Sequence, residues 1–158
     1  MNIFDTIGEL QREVAELKRR NRNRKRTGKI VEVDAPKGVA RVELLEKGAG
    51  GKPYKTAWIP WKEVRQGDVA TFNPPSVGEQ VEVVSENGDL TDAVIDASIP
   101  SNANPRPHNV AGEPVRTSAK GAFREHIDGS GVQTTKAKDI ISNAQDIVFT
   151  ADGGGHLK

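Results

Sequence analysis

The sequence predicts a mainly β protein with an N-terminal coiled-coil helix, a small Greek-key barrel of the OB type and a C-terminal stacked β-structure. Three observations predict it: an apolar heptad stripe before residue 18, short strands punctuated by Gly, Pro and Asn from 27 to about 99, and a seven-residue near-repeat after 136. Composition agrees with small modules. Only 35% of the 158 residues are hydrophobic and 4% aromatic, with 16 Gly and 9 Pro, so apolar faces completed by other copies of the chain fit better than one large core.

Ile3, Ile7, Leu10, Val14 and Leu17 alternate steps of four and three, which places them on one helical stripe at heptad a and d positions. An isolated helix of this length is marginal in water, so the stripe needs a partner. Self-association is favoured over packing on its own domain because a basic segment, KRRNRNRKR from Lys18 to Arg26, follows directly. Arg19, Arg20, Arg22, Arg24, Lys25 and Arg26 are candidates for contact with phosphates or an acidic protein surface. A solvated helix end, favoured by the macrodipole, stands beside that reading.

The barrel strands are GKIVEVD, GVARVELL, YKTAWIPW and the stretch after PPSVGEQ. Polar and apolar residues alternate from Gln80 to Ser85, and Asn87-Gly88 predicts a two-residue primed turn leading Val81 and Val83 into a returning strand through Val94 and Ile95. In YKTAWIPW the strand parity sets Ile59 and Trp61 against Trp58 and Pro60, so at least one Trp faces the core. A flat sandwich is the main alternative to a barrel. Ser98 to Lys120, rich in Pro, Asn, Ser and Ala, reads as an extended connector.

Ala137-Lys-Asp-Ile-Ile-Ser-Asn is followed directly by Ala144-Gln-Asp-Ile-Val-Phe-Thr, and Ala151-Asp152 begins a third copy. The β-branched pairs Ile140-Ile141 and Ile147-Val148, with Thr134-Thr135 before them, favour strands over helix. Repeats this short cannot bury an apolar side alone, and a narrow stack with walls supplied by other chains suits them. The expected division is 1–26 for the helix and its basic end, 27–100 for the barrel, 101–121 for the linker and 122–158 for the stacked β-terminus.

No catalytic equipment is visible. A net charge of +1 argues against a general nucleic-acid sponge, and the lack of cysteine removes disulfides and thiolate metal sites. The N-terminus puts its basic residues last, the reverse of a secretory signal, and no apolar run is long enough for a bilayer, so assembly in a cytoplasm is expected. No pair among His108, His126 and His156 has metal-ligand spacing on a helix, so neither a metal nor another cofactor is expected. Glu125, His126 and Asp128 come nearest to an acid-base group, yet beside the Asp128-Gly129 turn they read as exposed. Gly153-Gly154-Gly155 follows no strand-to-helix phosphate pattern. The expectation is no enzyme and no small-molecule substrate. The competing function is an OB-type single-stranded nucleic-acid binder with a basic N-terminal arm; only Tyr54, Trp58, Trp61 and Phe72 would serve as stacking rings, and the basic cluster lies outside them.

Taken in order, the heptad helix, GKIVEVDAPKGVARVEL, the W-x-P-W element at Trp58 to Trp61, PPSVGEQVEVVSENGDLTDAVI, the Pro/Asn connector and the repetitive terminus resemble the phage baseplate assembly protein V family, the central spike of contractile tails such as those of Mu-like phages. The likeness is clearest over 28–99, where P-x-V-G-E-Q-V at Pro75 to Val81, a Gly-Asp turn and an apolar strand match the family's signature block. The resemblance implies a homotrimer with an OB-fold body and an intertwined triple-stranded β-helix, a needle driven into the host outer membrane when the sheath contracts. It implies baseplate hub and tail tube proteins as partners, a place in the virion, and assembly in the bacterial host cytoplasm. Ile3, Ile7, Leu10, Val14, Leu17, Ile140 and Ile147 would then form the trimer interface. The family's iron-binding His-x-His apex is matched by a single His156 in GGGHLK, so a separate tip protein or a blunter spike is expected instead of a metal point.

Overall fold

The computed structural model describes residues 2–47 and 50–148. They fall into two compact units, one ending at Arg106 and one starting at Pro107.

The first unit opens with helix α1, Ile3–Asn23. Asn2 caps it: its side chain accepts from Phe4 N at 3.1 Å, while Asp5 accepts from Asn2 N at 3.2 Å, a reciprocal capping box that satisfies two otherwise orphaned donors. No residue of α1 is buried. The helix ends without a loop, because strand β1, Lys25–Asp34, begins after Arg24 alone. Lys25 and Arg26 therefore belong to the barrel and not to the helix end, paired in register with Val84 and Val83.

Strand β2 is Val39–Leu44, β3 Ile59–Pro60, β4 Gln80–Val84 and β5 Val94–Ser98. They form one sheet ordered β3-β2-β1-β4-β5, antiparallel throughout. A parallel bridge between Trp61 and Ile95, with Lys62 N donating to Ile95 O at 2.9 Å, joins the two edges and closes the curled sheet into an OB-like barrel. The ten-residue β1 serves two neighbours because its register shifts between Ile30 and Glu32, a bulge that bends the strand. At Gly28 a Cβ would stand 2.3 Å from Val42 Cγ1, so only glycine lets β1 approach β2 there.

Inward residues build the core: Ile30, Ala40, Val42, Leu44, Ile59, Val81, Val83, Ala93 and Ile95. Each buried Val, Leu or Ile contributes roughly 1.5–3 kcal/mol. Trp61 packs against this core while Trp58 is exposed beneath the Arg41 guanidinium, as the strand parity predicts. Buried Thr56 is satisfied, accepting from Val42 N at 3.0 Å and donating to Ala57 O at 2.8 Å.

The predicted two-residue turn at Asn87-Gly88 does not form. Val83 does pair with Ile95, but residues 85–93 make a longer loop. Ser85 is buried and donates to Asp92 Oδ1 at 2.6 Å, Asn87 Nδ2 holds the other oxygen of Asp92, and these bonds override the local turn preference. Gly88 instead sits at φ +72 against the Arg20 backbone.

In the second unit β6, Val115–Ser118, pairs with β7, Phe123–Ile127, which pairs with β8, Gln133–Lys136. Strand β6 lies within the stretch read as connector, where the flanking Pro, Asn and Gly mask a short V-R-T-S strand. Asp128 organises the β7–β8 turn, its Oδ1 accepting from Ser130 N and Val132 N, each at 2.9 Å. Residues 137–148, which hold the first repeat and part of the second, form no strand in the single chain. The remainder of the repeat pattern, Gly153–Gly155 and His156 lie outside the described residues. Among the described residues of this unit, no side chain is fully buried.

Candidate functional site

Both apolar stretches predicted to associate are exposed among the described residues. On α1 the whole predicted stripe, Ile3, Ile7, Leu10, Val14 and Leu17, is exposed, with Leu17 at 65%. In the C-terminal repeat Ile140, Ile141, Ile147 and Val148 are exposed, with Ile141 at 81% and Val148 at 80%. The helix follows from a capped heptad; the tail residues follow from repeats too short to cover themselves.

The basic cluster is partly neutralised within the chain. Arg19 and Arg20 both grip Glu16 at 2.7 Å, and the two guanidinium groups hold its carboxyl down at about 2 through hydrogen bonds. Lys25 pairs with Glu82 at 2.9 Å, and Arg26 with Glu46 at 3.2 Å. Arg22 and Arg24 form no ion pair among the described residues. The arrangement is a mixed-charge collar and not a continuous basic groove.

Nor do the barrel rings form a stacking platform. Trp61 lies 6.3 Å from Phe72 and is tied to Glu63 through its indole N–H at 2.9 Å. The same carboxylate accepts from Asn73 N at 2.6 Å and from the Thr71 hydroxyl at 2.8 Å, bonds that lower its pKa to about 2 and fix the 61–73 loop. Among the described residues no helix is long and apolar enough to cross a membrane.

The second unit holds a cluster that the sequence does not reveal. Glu113 Oε2 lies 2.8 Å from His108 Nε2 and 2.9 Å from His126 Nε2, and the two imidazoles stand 4.9 Å apart centre to centre. The second carboxylate oxygen accepts from Gly129 N at 3.1 Å. Hydrogen bonds from His126 and then His108 hold the Glu113 carboxyl below its usual range. These residues are drawn together by the pairing of Val115 with His126, which carries the turn holding Glu113 to the side of β7. The predicted neighbour Glu125 is not part of the cluster, since it alternates to the other face and binds Gln133 at 2.9 Å. Asp128 is occupied by the turn instead.

Residues 26–99 match the type VI secretion system/phage-baseplate injector OB domain. The spike protein of Escherichia phage P2 is 40% identical over 94 residues, which cover 60% of this chain and 41% of that protein. The alignment therefore spans about two fifths of that relative's length. The sheet order and its closing bridge agree with an injector OB domain, and through this barrel the chain is similar to the phage baseplate spike family.

Proposed function

We propose that the chain is a structural central spike of a contractile tail or related injection machine. Three copies would associate through the α1 stripe and the C-terminal repeat, with the barrels as body and the repeats wound into a triple-stranded β-helix. On sheath contraction this needle would pierce the host outer membrane, while hub and tube proteins hold its wide end. The observation that carries the reading is the coincidence of an injector OB barrel with exposed apolar surface on both sides of it in sequence. A monomeric spike would leave those side chains in water, whereas interwound copies bury them and resist dissociation because no chain leaves without breaking contacts to two others.

The α1 seam alone is too short to hold copies together, so the tail supplies most of the association. Of the six candidates, Arg22 and Arg24 form no ion pair among the described residues and are the ones left for contact with an acidic surface on a neighbouring baseplate protein. Molar mass in solution tests the reading: three copies per particle support the spike, and a stable monomer overturns it. No structural observation favours the nucleic-acid reading, because Trp61 is packed on the core and four of the seven basic residues from Lys18 to Arg26 are ion-paired within the chain.

A further inference from the structure

We propose that His108, Glu113 and His126 bind one divalent transition-metal ion of the zinc class in each chain. The ion would fasten the segment before β6 onto the β6–β7 hairpin. Three potential ligand atoms, two imidazole nitrogens and one carboxylate oxygen, lie within 4.8 Å of one another. Two imidazoles with one carboxylate select Zn²⁺, Co²⁺, Ni²⁺ or Fe²⁺ over Mg²⁺ and Ca²⁺, which prefer all-oxygen shells.

The geometry is that of a closed, metal-free triad. Ligand bonds of about 2.0–2.1 Å in a tetrahedron set neighbouring ligand atoms about 3.3 Å apart. The present 2.8 and 2.9 Å separations need open by only a few tenths of an ångström, and the two imidazole nitrogens, within 4.8 Å of each other, need close by at most about 1.5 Å. The carboxylate is already aimed, because Gly129 N–H holds Oε1 and leaves Oε2 for the ion. Side-chain exposures of 20%, 18% and 24% for His108, Glu113 and His126 leave one side open, enough for a water as fourth ligand.

The location gives the ion a purpose. The described part of this unit has no fully buried side chain, and a small module without a core gains most from a staple. His108 and Glu113 lie on the segment before β6, and His126 on β7, so one ion cross-links the two segments. The site lies far in sequence from His156 and is independent of the spike reading.

Metal entry leaves a signature within the wild-type chain. A carboxylate only accepts, so each Nε2 facing Glu113 carries the hydrogen in the metal-free state. Coordination through Nε2 requires that hydrogen to leave and each ring to take the Nδ1–H tautomer. The experiment uses the full chain, stripped with chelator and titrated with ZnCl₂ and with CoCl₂. Calorimetry reads stoichiometry, the cobalt visible spectrum reads coordination, and nitrogen-15 NMR reads the tautomers of the three histidines. One ion per chain is expected, with His108 and His126 both moving from Nε2–H to Nδ1–H. Affinity should fall by about 100-fold or more in His108→Ala and Glu113→Gln, beyond the tenfold to hundredfold loss typical of outer-shell changes, and should be unchanged in His156→Ala. Circular dichroism of each variant reports folding, and the NMR result on the unaltered chain stands even where a variant misfolds. Absence of zinc-dependent tautomer change in His108 and His126, or binding abolished by His156→Ala, overturns the proposal.

Discussion

Replacing Gly88 with alanine should loosen the end of α1 from the barrel, and the structure separates the two costs involved. The first is backbone strain. Gly88 has φ +72, where an L-residue pays about 1–2 kcal/mol. The second is contact: the added Cβ would stand 2.2 Å from the Arg20 carbonyl oxygen and 2.6 Å from its carbonyl carbon and Cα. Ordinary contact begins at 3.4 Å, so loop and helix must part by about 1.2 Å, against backbone that cannot rotate away. Overpacking of this kind typically costs 1–3 kcal/mol, which brings the total to about 2–5 kcal/mol. Gly38→Ala isolates the strain, because Gly38 has φ +67 and nothing within 4 Å of its Cβ position. Both tryptophans, Trp58 and Trp61, lie in the barrel, so thermal unfolding followed by their fluorescence reports this unit. With 1 kcal/mol worth about 4–8 °C in a unit of this size, Gly88→Ala should melt several degrees below Gly38→Ala. Equal melting of the two variants would refute the packing of the helix end on Gly88.

Glu63 predicts acid sensitivity of the 61–73 loop. Its folded pKa, about 2, is below the ordinary 4.5, so the unfolded chain binds more protons between these values and the stabilisation is complete above about pH 4.5 and lost as pH falls through 2. Tryptophan fluorescence of Glu63→Gln should lack that dependence between pH 4.5 and 2; an unchanged profile would remove Glu63 from the account. Ile147→Asp should prevent association measured by light scattering, since a seam would gather like charges; an unchanged, heat-resistant assembly would place Ile147 toward solvent. Deleting residues 122–158 should leave a weakly associating species, and a persistent tight trimer would locate the main interface elsewhere. Single-stranded DNA should bind weakly and be released by moderate salt. A salt-tolerant complex abolished by Trp61→Ala would favour the nucleic-acid reading.

The helix and the barrel were legible because their signals are local. A heptad spacing in α1 and alternating valines in β2 and β4 state both the element and its apolar face. The loop after β4 was misread for the opposite reason: Asn87-Gly88 is a strong turn dipeptide, but burial of Ser85 and its bond to Asp92 are tertiary facts. Strand β6 was hidden by the Pro and Gly around it, since four residues carry little periodicity. The His108–Glu113–His126 cluster has no sequence signature at all. Its members approach only when Val115 finds His126, and no spacing rule encodes that pairing.

The junction at Arg24 has a mechanical consequence. With a single residue between α1 and β1, tension or torque applied to the helix enters the sheet without a slack tether. It arrives on the one strand bonded to β2 on one side and β4 on the other. Pulled along its length, β1 is loaded in shear, so the hydrogen bonds to both neighbours must yield together instead of unzipping one at a time. The exit strand β5 is likewise loaded lengthwise against β4. A sudden pull would thus be spread over many backbone bonds at both ends of the barrel, with the Trp61–Ile95 bridge passing part of the load on β5 to the start of the 61–73 loop that Glu63 clasps.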